Sequence, residues 1–163
     1  MIIRIVAFLA FAVFAAISGA AFGPALAGGG KANHKIVTVQ LALGKDGDEK
    51  RLFHPSALTL QTGQRYRLVI HNPSLEVHEF DSPGLVDAVW SSHVRVLDGY
   101  GRGSQTVANI VGKPAEIEIF PGGSVEWEFV PVAAGRYEII CDTLDQSGKT
   151  HTAGGMTGSV LVK

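Results

Sequence analysis

In Ala115 to Phe120 and again in Val125 to Phe129 the chain alternates apolar and polar residues with a period of two, and this alternation constrains the fold more than any other feature. Ile117 and Ile119 interleave with Glu116 and Glu118, and Val125, Trp127 and Phe129 interleave with Glu126 and Glu128. Successive side chains of a strand point to opposite faces, so each segment predicts a half-buried strand with its carboxylates in water. Pro121-Gly122-Gly123-Ser124 and Ala133-Ala134-Gly135 punctuate the segments as tight turns. Ile36 to Leu43, Ala57 to Gln61, Tyr66 to His71, Arg136 to Cys141 and Ser159 to Val162 read as further strands. Such a series of short strands predicts an all-β sandwich or barrel. One stretch departs from the pattern. Leu85, Val86, Val89, Trp90, His93, Val94 and Leu97 follow helical spacing, which predicts an amphipathic helix over Gly84 to Asp98. That helix would sit in a partly helical insertion near residues 84–113, covering part of the β structure.

The N-terminal end has a different character. Met1 to Arg4 carry one positive charge, Ile5 to Ile17 are free of ionisable groups, and Ala25-Leu26-Ala27 precedes a glycine run. A charged start, an apolar middle and an Ala-x-Ala end are the parts of a secretory signal peptide, expected at 1–27, with one folded domain at 28–163. An uncleaved membrane anchor is the alternative. In both cases the domain is exported, and a periplasmic location is expected. The 14 basic and 15 acidic residues give a net charge of −1, which offers nucleic acid no broad basic field. A single Cys excludes a disulfide framework and any four-cysteine metal cluster. A lone thiol in an oxidising compartment needs protection by burial, a partner or a metal.

That cysteine is Cys141, at the end of a strand whose Tyr137, Ile139 and Cys141 share one face, so its sulfur is expected to point inward. His151 follows nine intervening residues later, and Met156 precedes the last strand. Upstream, His78 stands in Val77-His78-Glu79-Phe80. Two imidazoles, one thiolate and one thioether are the donor set of a mononuclear type 1 copper site. Singly, each residue reads as core or surface. His54 and His71 lie in or beside strands and read as structural or surface residues, and His34 and His93 are outside the set.

With these residues the sequence resembles the cupredoxin family of plastocyanin- and azurin-like blue copper proteins. The resemblance runs from about Phe53 to Val162. It rests on Phe53-His54-Pro55, Leu58-Thr59-Leu60, Gly63, His78-Glu79-Phe80, Pro121-Gly122, Gly135-Arg136-Tyr137-Glu138 and the Cys–His–Met end. It implies an eight-stranded Greek-key β-sandwich binding one copper, with His78, Cys141 and His151 as equatorial ligands and Met156 as the weak axial one. Two departures stand out. The family usually has two to four residues between Cys and the second His, whereas Asp142 to Thr150 intervene here. Glu79 takes a position that is often Asn, either as a hydrogen-bonding neighbour or as an oxygen ligand like that of red copper proteins related to nitrosocyanin.

On this reading the protein is a monomeric electron carrier and not an enzyme. It would cycle between Cu(I) and Cu(II) and serve a redox partner such as a cytochrome or terminal oxidase. The expected electron exit is an exposed edge of His151 among Gly154, Gly155 and other small residues. A copper tolerance or delivery protein is the alternative, and a red-copper-type enzyme using Glu79 a further one.

Overall fold

The structure, a computed structural model, describes residues 35–46, 48–99 and 104–163. The expected export segment at 1–27 and His34 lie outside them. Eleven strands form in chain order among the described residues. They are β1 (Val37–Lys45), β2 (Asp48–His54), β3 (Ala57–Leu60), β4 (Tyr66–His71), β5 (His78–Phe80), β6 (Val89–Leu97), β7 (Thr106–Val111), β8 (Ile117–Ile119), β9 (Ser124–Pro131), β10 (Gly135–Ile140) and β11 (Thr157–Val162). One layer is a six-stranded sheet ordered β2-β1-β4-β9-β6-β7. The opposing strands form a three-stranded sheet, β10-β11-β3, and a pair, β5-β8. These two are stitched together where Asp81 and Ile140 exchange backbone hydrogen bonds of 3.1 and 2.9 Å. The pairs β1–β4 and β11–β3 are parallel and the remaining ladders antiparallel.

The alternating residues fill the space between the layers. Leu41, Leu68, Ile70, Trp127 and Phe129 meet Phe80, Ile139, Val160 and Val162 in one buried cluster. Trp127 lies at its centre, 4.3 Å from the Phe129 ring and 6.2 Å from that of Phe80. Its indole N–H donates to Ser91 Oγ at 2.8 Å, so the largest core side chain has no unpaired donor.

The helix expected over Gly84 to Asp98 is not formed as such. Helix α1 covers only Pro83–Asp87, and β6 follows at once as an inner strand between β9 and β7. A bulge explains the helical spacing. The β6–β9 register shifts between Ser91 and His93, so buried Val89 and buried Val94 stand five residues apart on one strand. An extra residue switches the parity of a period-two pattern, and the result mimics helical spacing. Among the described residues of 84–113, only α1 is helical, and two strands of the main sheet come from this span. No helix among the described residues is long and apolar enough to cross a membrane.

The expected solvated Glu face holds only in part. Glu116 and Glu118 are exposed, but Glu128 is buried and Glu126 half-buried. Cross-strand register explains why: Arg67 stands opposite Glu128, and Arg95 opposite Glu126. Arg65 Nη2 and Arg67 Nη2 donate to the two Glu128 oxygens at 2.7 and 2.8 Å, and Arg95 pairs with Glu126. Long arginine stems thus cover the carboxylates they neutralise. Burial pushes the Glu128 carboxyl up, but the Arg67 and Arg65 hydrogen bonds outweigh it and hold the group below its ordinary value. A depressed carboxylate stabilises the fold above its unfolded-state value, about 4.3, and loses that contribution as pH falls through the lower folded value. Glu128→Gln should therefore cost about 1–3 kcal/mol at pH 7, discounted for the half-exposed arginines. Denaturant unfolding of both proteins should show the gap closing below about pH 4. A gap independent of pH would assign the loss to packing instead.

Candidate metal centre

The site stands at one end of the sandwich, where β5, β10 and β11 meet. His78 opens β5, Cys141 directly follows β10, and Met156 directly precedes β11. In the β10–β11 ladder Ile140 faces Thr157, and continuing that register by one residue sets Cys141 opposite Met156. All four residues, His151 included, are buried. As alternation required, Ile139 and Cys141 point inward while Arg136 and Glu138 are exposed.

Local hydrogen bonds bring the donors together. Asn72 is fully buried and organises the chain entering β5. Its amide donates to the carbonyls of Glu76 and Ile119 at 2.7 Å each, and its Oδ1 accepts from the Ser74 N–H and hydroxyl. The long Cys–His connection is not open loop. Asp145 Oδ1 accepts from the Ser147 N–H at 2.8 Å, the Ser147 hydroxyl at 2.6 Å and the Lys149 N–H at 3.0 Å. Leu144 and Thr150 form a bridge above that turn. The insertion is thus a small hairpin that folds back on itself and returns His151 beside Cys141. Thr152 fixes the return, its Oγ1 accepting from the Cys141 N–H at 2.8 Å and its N–H donating to the Cys141 carbonyl at 2.9 Å.

The donor atoms of His78, Cys141 and His151 converge. His78 Nδ1 and His151 Nδ1 are 3.1 Å apart, and Cys141 Sγ is 3.4 Å from His151 Nδ1 and 3.9 Å from His78 Nδ1. Three donors spaced evenly around one ion at about 2.0–2.3 Å stand about 3.5–3.7 Å from one another. The three separations bracket that range, so one ion fits. Burial, reinforced by the neighbouring His151, brings the His78 imidazole down to about 4, leaving it neutral at neutral pH. Burial likewise lowers His151. The Cys141 thiol is pushed up by burial, against the Glu79 N–H and Thr143, which favour its thiolate. A bound cation reverses that balance, since a coordinating thiol is deprotonated outright.

Glu79 flanks this group without joining it. Its N–H points at Cys141 Sγ, 3.3 Å away, while its carboxylate accepts from the Asp142 N–H at 3.1 Å. His54 is exposed, His71 bonds to the Gly123 carbonyl and Ser124 Oγ, and His93 to Ser92 Oγ. None of these belongs to the convergent group.

One expectation is overturned. His151 has no exposed edge, being only 2% accessible. Its Nε2 lies 3.9 Å from a Glu76 oxygen, and Arg51 grips that carboxylate with hydrogen bonds of 2.7 and 2.8 Å. The small residues Gly154 and Gly155 remain near the ring in sequence, but its cover comes from β2 and the segment before β5. Arg51 and Glu76 carried no signal in the sequence apart from Arg51 sharing the strand face of buried Phe53.

Neither a family model nor a curated protein sequence matches the chain. Solved structures do match in fold. A multicopper oxidase from Campylobacter jejuni is similar over 78% of this chain and 30% of its own, at 15% identity and a TM-score of 0.52. A laccase from Pediococcus acidilactici is similar over 80% of this chain and 28% of its own, at 15% identity and a TM-score of 0.51. The chain thus spans less than a third of either oxidase. The blue copper protein auracyanin A from Chloroflexus aurantiacus is similar over 79% of this chain and all of its own, at 19% identity and a TM-score of 0.47. The fold is a cupredoxin-like β-sandwich, with eleven strands among the described residues where the family resemblance implied eight.

Proposed function

We propose that the protein is a mononuclear type 1 copper protein that carries single electrons. The observation that carries this reading is the buried convergence of two imidazole nitrogens and one cysteine sulfur at 3.1–3.9 Å, held by backbone hydrogen bonds at the end of the sandwich. His78, Cys141 and His151 would hold the ion, with Met156 as a weak fourth ligand from the position opposite Cys141. Copper bound there supplies one-electron chemistry between Cu(I) and Cu(II). Thiolate and thioether favour the reduced ion, while imidazole suits both states. The surrounding chain keeps the donors in place through both, and excludes water from them. A cavity of about 340 Å³ outside His151, lined in part by Glu76, Leu144 and Asp145, is the side from which a redox partner approaches. The signal-like start of the sequence supports an exported, periplasmic setting, and a cytochrome or terminal oxidase is the class of partner that such a carrier serves. No substrate enters this scheme, so the protein is not an enzyme in this reading.

Optical and EPR spectra of the copper-loaded chain test the site, and fast electron self-exchange tests the carrier role. Slow self-exchange with tight Cu(I) retention would point to copper buffering instead. Replacing Met156 by leucine separates a ligand role from core filling. A thioether donates electron density to Cu(II), so Met156→Leu should keep copper and colour but raise the reduction potential. The expected rise is on the order of 100 mV, or about 2 kcal/mol for one electron. An unmoved potential in Met156→Leu, together with a large spectral change in Glu79→Gln, would transfer the ligand role to Glu79.

A further inference from the structure

We propose that Arg51 is a positioning residue for the metal centre, clamping together the two chain segments that carry its donors. The proposal rests on the copper reading above. Arg51 comes from β2, which supplies no donor of its own. Its Nε and Nη2 donate to the two oxygens of Glu76, two residues before His78, at 2.7 and 2.8 Å. Its Nη1 donates to Asp145 Oδ2, four residues after Cys141, at 3.2 Å. Both Asp145 oxygens are therefore engaged: Oδ1 shapes the hairpin that returns His151, and Oδ2 ties that hairpin to the segment bearing His78. The contacts span 25 and 94 residues of sequence, so nothing local replaces them. Only a planar fork of five donors engages one carboxylate in bidentate fashion and still reaches a second; an ammonium does not.

The same clamp sets charge beside the site. Glu76 Oε2 is 3.9 Å from His151 Nε2, the outer nitrogen of a ring whose inner nitrogen faces Cys141. An anion there favours Cu(II), and the Arg51 cation opposes it. Loosened packing alone would move the potential in one direction whichever partner is removed. A charge clamp moves it in opposite directions.

The test uses the full chain loaded with copper, with bicinchoninate competing for Cu(I) and voltammetry for the potential. Arg51→Gln should weaken copper binding by about 10–100-fold, the range found when partners of ligand residues are removed. It should lower the potential, Glu76→Gln should raise it, and the double variant should return toward the parent value. Arg51→Lys should recover the sign of the potential but not the full affinity. If Arg51→Gln does not fold, Asp145→Asn, which keeps the hairpin acceptor, should still show weakened binding. Affinity within twofold of the parent in both Arg51→Gln and Asp145→Asn overturns the clamp. Equal-sign potential shifts in the two single variants also overturn it. A parent chain that gives no thiolate-to-copper band removes the copper reading and the clamp with it, an outcome visible before any variant is made.

Discussion

Cys141→Ser should abolish the intense visible band of the oxidised, copper-loaded protein while leaving the sandwich folded. The band requires charge transfer from a thiolate, and Cys141 is the chain's one cysteine. Its sulfur is fully buried and faces both imidazole Nδ1 atoms, so no other soft anion stands within reach of the ion. The fold does not depend on that sulfur. Cys141 is tied to Thr152 through its own N–H and carbonyl, and a serine oxygen still accepts from the Glu79 N–H. The loss should therefore appear in the spectrum and in copper affinity, with far-ultraviolet circular dichroism unchanged. A band that survives in Cys141→Ser would remove the type 1 reading.

How much of this was legible beforehand follows from how local each signal is. Strands β9 and β10 announce themselves because Val125, Trp127, Phe129, Ile139 and Cys141 alternate without interruption. In β6 the bulge between Ser91 and His93 breaks the alternation, and β2 opens with four charged residues in sequence, ahead of buried Phe53. Strand β7 is exposed along its whole length at the sheet edge, so no inside face marks it. The donors were readable because His, Cys and Met carry their chemistry in their identity. The cover over His151 was not. It is assembled from Arg51, Glu76 and Asp145, three ordinary surface residue types whose meeting depends on tertiary structure alone. The same logic governs the buried Glu128: its alternation placed it on the outer face, but the arginines that close over it come from the neighbouring strand β4 and the residue just before it.

Gly44→Ala should cost about 2–5 kcal/mol of stability and disturb the copper spectrum, two effects that arise from separate causes. Gly44 lies in β1 with φ of +82°, a left-handed conformation that costs an L-residue about 1–2 kcal/mol. A Cβ at this position would also stand 2.6 Å from the Ser74 Cβ and 3.1 Å from His78 Nε2. Overpacking of that kind adds about 1–3 kcal/mol, because neither neighbour is free to retreat. Ser74 is held by Asn72, whose other bonds support the approach to β5, and the His78 ring is confined between Gly44 and the donor group. The methyl group therefore pushes on a ligand as well as on the core. Gly63 provides the control, since it shares a positive φ of +78° but has nothing within 4 Å of the added Cβ. Gly63→Ala should show only the conformational cost, about 1–2 kcal/mol, with an unaltered copper band. Denaturant unfolding of the two metal-free variants and spectra of their copper-loaded forms give the comparison. Equal destabilisation of both, with the band intact in Gly44→Ala, would mean that the close approach of β1 does not fix the His78 ring.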